Sequence, residues 1–133
     1  MSTEKNKAIV KEFVEAGNRG DIEGNVKYTA PDCLLNGQPF GCEGDRQRTA
    51  VMLAAFPDGK YSLDDMIAEG DKVVLRWTFR GTHQGELMGI PPTGKAVTMA
   101  GISIYHLADG MIAGFWESYD KLGLLQQLGV IPA

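Results

Sequence analysis

The stretch that decides the fold is Lys95-Ala96-Val97-Thr98-Met99-Ala100-Gly101-Ile102-Ser103-Ile104-Tyr105-His106-Leu107, then Ala108-Asp109-Gly110, then Met111-Ile112-Ala113-Gly114-Phe115-Trp116-Glu117-Ser118-Tyr119. Alternation with period two on both sides of an Asp-Gly pair predicts a long β-hairpin. Its turn decides which side chains share a face. A two-residue Asp109-Gly110 turn would pair Ala108 with Met111 and set Ile102 opposite Glu117. A three-residue Ala108-Asp109-Gly110 loop, with Gly110 left-handed, pairs Leu107 with Met111 and sets Gly101 opposite Glu117, Ser103 opposite Phe115 and Tyr105 opposite Ala113. The second register is preferred. It gathers Glu117, Ser103, Tyr105 and Phe115 on one face and leaves Ile102, Ile104, Ile112 and Trp116 as an apolar face on the other.

Upstream, residues 61–68 and 72–82 also alternate with period two, separated by Glu69-Gly70-Asp71. The chain before Gly59 has helical spacing instead. Ile9, Val10, Phe13, Val14 and Ala16 predict a first helix ending at Gly17, and Asp21 caps a short second one closed by Pro31-Asp32. Residues 33–42 read as mostly loop with a short strand. Asp45 is expected to cap a third helix carrying Val51, Met52, Ala55 and Phe56, and Asp120 a last one carrying Leu122, Leu124, Leu125 and Leu128. Helices first and antiparallel strands afterwards make an α+β fold, with the helices packed on one face of a curved sheet. The concave face of such a sheet is a natural small-molecule pocket.

The 133 residues, 44% of them hydrophobic, suit one domain spanning 1–133. A formal charge of −4 with no clustered Lys or Arg argues against nucleic acid as a partner. No apolar run approaches the ~18 residues of a membrane span, and the polar N-terminus lacks a signal peptide's apolar stretch. Cys33 and Cys42 have no zinc-site spacing and read as reduced thiols, so a cytoplasmic location is expected. Nucleophile-elbow, dinucleotide and zinc-protease motifs are absent, and no metal site is expected.

Glu117 is the residue that carries chemistry in this reading. Between Phe115, Trp116 and Tyr119, and without a cation, its carboxyl is expected to titrate high, as a general acid/base requires. His83 ends the strand of Val73, Leu75, Trp77 and Phe79 and shares their face, a polar tip on a pocket wall. His106 alternates to the other face. Trp77, Phe79 and Phe115 would line the cavity, with Ser103 and Tyr105 as polar contacts, so the ligand should be small, apolar, and aromatic or fused-ring. A non-catalytic ligand-binding or dimerisation module is the alternative. The apolar outer face predicts a homodimer.

From Lys7 to Gly129 the chain resembles the SnoaL-like polyketide cyclase, or ester cyclase, family. The resemblance is carried by Trp77-Thr78-Phe79-Arg80-Gly81-Thr82-His83-Gln84-Gly85, Gly89-Ile90-Pro91-Pro92-Thr93-Gly94, Asp109-Gly110, and Asp120-Lys121-Leu122-Gly123-Leu124-Leu125-Gln126-Gln127-Leu128-Gly129. It implies a conical α+β barrel of the nuclear-transport-factor-like superfamily, related in fold to ketosteroid isomerase. It also implies ring closure by intramolecular aldol condensation of a polyketide methyl ester, with no metal or other cofactor. By the same resemblance Glu117 stands where the family carries a catalytic Asp, and His83 where it carries a pocket histidine. Ser103 replaces a second family histidine.

Overall fold

The computed structural model describes residues 2–132. In chain order the elements are α1 (Thr3–Asn18), α2 (Ile22–Val26), β1 (Thr29–Leu35), β2 (Gln38–Pro39), α3 (Gly41–Ala55), β3 (Lys60–Glu69), β4 (Lys72–Thr82), β5 (Ala96–Ala108), β6 (Met111–Tyr119) and α4 (Lys121–Leu128). The six strands form one sheet in the order β2-β1-β6-β5-β4-β3. β1 runs parallel to β6 and the other pairs are antiparallel. The sheet curves without closing into a barrel, and helices pack against it. Among the described residues no helix is long and apolar enough to cross a membrane.

The period-two strands bury one face. Val73, Leu75, Trp77 and Phe79 of β4 join Val97, Met99, Tyr105 and Leu107 of β5 in the core. α1 covers β3 and β4 and supplies Val10, Phe13 and Val14 to that core, while α3 packs on β1. α4 packs on β5 through Leu124 and Leu128. Asp120 caps α4, accepting a hydrogen bond from the Gly123 amide at 2.8 Å, and left-handed Gly129 ends it. Asp120→Ala should therefore cost ~0.5–2 kcal/mol in denaturant unfolding and leave ligand affinity unchanged. A fall in affinity at unchanged stability would contradict this capping role.

Three local expectations are corrected. Pro31-Asp32 does not close α2: both lie inside β1, whose pairing with β6 shifts register between Thr29 and Leu34. A proline is tolerated at such an irregularity because no ladder donor is required of it. Asp45 does not cap α3, which starts four residues earlier at Gly41. Asp45 is instead buried, and its Oδ2 accepts from Thr29 Oγ1 at 2.9 Å.

The third correction concerns the hairpin register. Asp109 and Gly110 both have positive φ, 52° and 77°, and Ala108 pairs with Met111, so the turn has two residues. A bulge follows, with Leu107 opposite Ile112 but His106 opposite Gly114, leaving Ala113 unpaired. The strands then pair Gly101 with Tyr119, Ser103 with Glu117, and Tyr105 with Phe115. This differs from the expected register by two residues, so Ser103, Tyr105, Phe115 and Glu117 still share a face. Ile112 does not stay with the outer residues. Lying on the turn side of the bulge, it faces inward and is fully buried, while Ile102, Ile104 and Trp116 remain exposed.

Candidate functional site

A cavity of about 690 Å³, its open mouth included, lies between α1, α2, α3 and the concave face of the sheet. Its walls are aromatic: Phe13 from α1, Phe56 just after α3, Tyr61 from β3, Trp77 and Phe79 from β4, and Tyr105 from β5. The rings brace one another edge-on, with Tyr61 and Trp77 centred 5.1 Å apart and Phe56 and Phe79 also 5.1 Å apart. Two asparagines at the wall are committed to the scaffold. Asn18 donates to the Tyr61 carbonyl at 2.9 Å and accepts from its amide at 2.8 Å, fixing β3 to α1. Asn25 donates to the Phe13 carbonyl at 2.7 Å.

The remaining polar groups gather at one end. Arg48 of α3 donates from Nη2 to Glu117 Oε1 of β6 at 2.9 Å. The Glu117 side chain is 13% exposed and that of Arg48 31%. Arg48 also lies over the Phe115 ring, 5.4 Å from its centroid. Its Nη1 is shielded from solvent and has no hydrogen-bond partner among the described residues. A buried donor left in that state costs ~1–3 kcal/mol, and more when charged. Burial, the largest single influence, works against the guanidinium's charge, but Glu117 together with Tyr61, Tyr105 and Asp45 outweighs it and holds Arg48 above its ordinary range.

The two phenols respond to the same pair. Burial pushes Tyr61 and Tyr105 upward, Arg48 pulls each back in part, and Glu117 adds to the rise. Both hydroxyls therefore stay protonated at neutral pH and can donate to an oxygen.

Asp45 lines the cavity one helical turn before Arg48. Burial raises its carboxyl above the ordinary 3.8, against the Thr29 hydrogen bond and the Arg48 charge. A folded acid raised above its unfolded value holds its proton longer than the unfolded chain does. Its effect on stability is thus harmless at low pH and becomes a penalty as pH rises through 3.8 toward the folded value. Asp45→Asn keeps an acceptor for Thr29 and removes the penalty. Its melting temperature relative to the native chain should climb between pH 3 and pH 7; a pH-independent difference would contradict this.

Four of the seven side chains singled out from sequence line this cavity: Glu117, Trp77, Phe79 and Tyr105. The other three stand behind its walls. Ser103 is fully buried and accepts from Trp77 Nε1 at 3.0 Å. Phe115 stacks on Tyr105 at 5.2 Å. His83 is fully buried, its Nδ1 accepting from the Thr93 amide at 3.2 Å, and its ring tilts against Phe56 at 5.7 Å. His106 lies outside, 2.9 Å from Asp71.

The expectation that Glu117 stands without a cation is corrected by Arg48, and neither Arg48, Tyr61 nor Asp45, expected only as a helix cap, was given a place in the site. A signal was present. Asp45, Arg48, Thr49, Met52 and Phe56 recur at helical spacing, and all five line the cavity. Charge mixed with apolar residues on an inward helical face marks a polar cavity rather than a dry core.

Comparison with known proteins agrees with this architecture. The profile of the SnoaL-like polyketide cyclase family matches residues 7–128. Aklanonic acid methyl ester cyclase AcmA of Streptomyces galilaeus is 28% identical over 131 residues, spanning 92% of this chain and 89% of that one. Among solved structures, TsrD of Streptomyces laurentii superposes with a TM-score of 0.91 at 30% identity, covering 98% of this chain and 99% of that one. AclR of Streptomyces galilaeus, a proposed hydroxylase, superposes with a TM-score of 0.89 at 33% identity, covering 99% and 85%. With the family profile spanning nearly its whole length, the chain belongs to the SnoaL-like polyketide cyclases and is an enzyme of that kind.

Proposed function

We propose that this chain carries out cofactor-free acid/base chemistry on a small apolar carbonyl compound, by intramolecular aldol cyclisation or a related isomerisation. The observation that carries the reading is the Glu117 carboxylate at the wall of an aromatic cavity, with two protonated phenols facing the same space. Glu117 takes a proton from the carbon beside a carbonyl, and the electron pair of that C–H bond moves onto the carbonyl oxygen. Tyr61 and Tyr105 donate hydrogen bonds to the enolate so formed. The enolate carbon attacks a second carbonyl of the same molecule, a C–C bond closes, and Glu117 returns its proton to the new alkoxide. Every group these transfers need comes from the chain itself. His83, held by Thr93 behind Phe56, steadies that wall rather than touching the ligand.

Walls built from Phe13, Tyr61, Trp77 and Phe79 favour an aromatic or fused-ring substrate, and a relative named for a methyl ester supports an ester group on it. The test is proton exchange. Aryl ketone methyl esters incubated with the protein in D2O should take up deuterium beside the ketone at least ~100-fold faster than in buffer. Exchange at the buffer rate across a fused-ring series would overturn the reading.

The same reading makes the working unit a homodimer in the cytoplasm, where free Cys33 and Cys42 stay reduced. Ile67, Val74, Ile104 and Trp116 are cross-strand neighbours that form an apolar row over the outer face of four strands. Three of the four are exposed. Rows of that kind mark interfaces. Sedimentation at micromolar concentration should show a dimer, and Ile104→Lys a monomer. A monomeric native chain would contradict this.

A further inference from the structure

We infer that Arg48 is a second catalytic residue, whose guanidinium takes the substrate's carbonyl oxygen and holds the enolate charge once Glu117 has the proton. This rests on the proton-transfer reading of Glu117 given above.

The guanidinium is only half used by the protein. Nη2 is bonded to Glu117 and one face lies over Phe115, yet the side chain lines the cavity, is 31% exposed, and keeps Nη1 without a hydrogen-bond partner among the described residues. Asp45, the other carboxylate acting on it, forms no hydrogen bond with the guanidinium among the described residues and turns Oδ2 to the Thr29 hydroxyl. The Tyr61 hydroxyl lies beside the guanidinium and Tyr105 also acts on it, but both keep their protons and bring no charge. A planar fork with one arm on Glu117 and a free arm beside it is built to bridge a carboxylate and a second oxygen.

Charge balance strengthens the argument. At rest Glu117 and Arg48 sum to zero. Proton transfer breaks the substrate C–H bond, leaves a neutral Glu117 acid and puts the negative charge on the enolate oxygen. If that oxygen sits on Arg48, the sum is still zero and no unpaired charge ever arises in the apolar cavity. With the phenols alone, each transfer would leave an unpaired Arg48 beside an enolate it did not touch.

The probe is 2-methyl-1,3-indandione, a fused-ring 1,3-diketone whose enolate absorbs in the visible and whose neutral form does not. Binding is followed to Glu117→Gln and to the double variant Arg48→Gln/Glu117→Gln, which leaves neither charge of the pair behind. The single variant should bind the probe as its coloured enolate. The double variant should favour the enolate over the neutral diketone less strongly by about 10- to 100-fold, the range of a charge-assisted hydrogen bond. Arg48→Lys/Glu117→Gln should recover part of the colour. Equal enolate preference in the single and double variants would overturn the inference. A second measurement keeps Arg48 in place: Glu117→Gln should bind the enolate about tenfold tighter than the native chain, because the competing carboxylate is gone. Equal affinity there would also overturn it. The first comparison is made with Glu117 absent from every chain. It therefore does not depend on whether Glu117 moves protons, which the deuterium exchange tests separately.

Discussion

Glu117→Gln is expected to lower turnover by about 10²–10⁴, the usual contribution of general acid/base catalysis, while affinity for the neutral ligand stays within a few-fold. The amide preserves the shape of the side chain and still offers an oxygen to Arg48 Nη2, 2.9 Å away in the native chain. It cannot accept and return a proton at neutral pH. Stability should fall less than on truncation, since the ion pair becomes a hydrogen bond from the Arg48 cation to a neutral amide, with the counter-charge lost. Glu117→Ala would instead strip Arg48 of its ion-pair partner, approaching the ~3–5 kcal/mol seen when half of a buried pair is removed. Paired kinetics and thermal unfolding separate these effects. A structural Glu117 would show the reverse pattern, lost stability with turnover intact.

Trp77→Ala is expected to cost ~3–5 kcal/mol and to abolish tight ligand binding. Trp77 is 3% exposed, stands edge-on to Tyr61, and spends its indole N–H on Ser103. Gly101, its partner on β5, has no side chain because the indole lies over it; an added Cβ there would collide with the ring. Removing the indole therefore opens a void bounded by glycine, which cannot fill it, and leaves Tyr61 without its brace. Trp77→Phe should recover most of the stability but not the Ser103 bond. Denaturant midpoints for the three chains decide this, and a loss below ~1 kcal/mol for Trp77→Ala would contradict it.

Much of this was legible in the residues, for reasons that differ along the chain. The long strands announced themselves because each buries one face, so Val73, Leu75, Trp77 and Phe79 had to alternate. The pocket face of the hairpin survived a wrong turn assignment only because two errors cancelled in parity. A two-residue turn shifts the register by one, and the bulge at Ala113 shifts it by one again. Nothing local marks that bulge, so Ile112 was expected outside and lies inside. Asp45 misled because its type favours caps, whereas here tertiary contact with Thr29, 16 residues away, decides its place. The partner of Glu117 was invisible for the same reason. Arg48 is 69 positions distant, and the packing of α3 on β1, the strand beside β6, brings the two together. Ser103 and His83 were recognisable as inward-facing polar groups. Which inward groups reach the cavity and which brace its walls depends on the depth of Phe56 and Trp77, a packing outcome rather than a pattern.

The central claim is that Glu117 moves a proton to and from carbon in this cavity. The most direct test is deuterium wash-in to a bound aryl ketone ester at saturating protein, native chain against Glu117→Gln, followed by proton NMR of the recovered ester. No turnover and no knowledge of the physiological substrate are needed. The account predicts rapid wash-in beside the ketone with the native chain and a rate lower by at least ~100-fold with the variant. Equal wash-in by the two chains would contradict it and remove Glu117 from the mechanism.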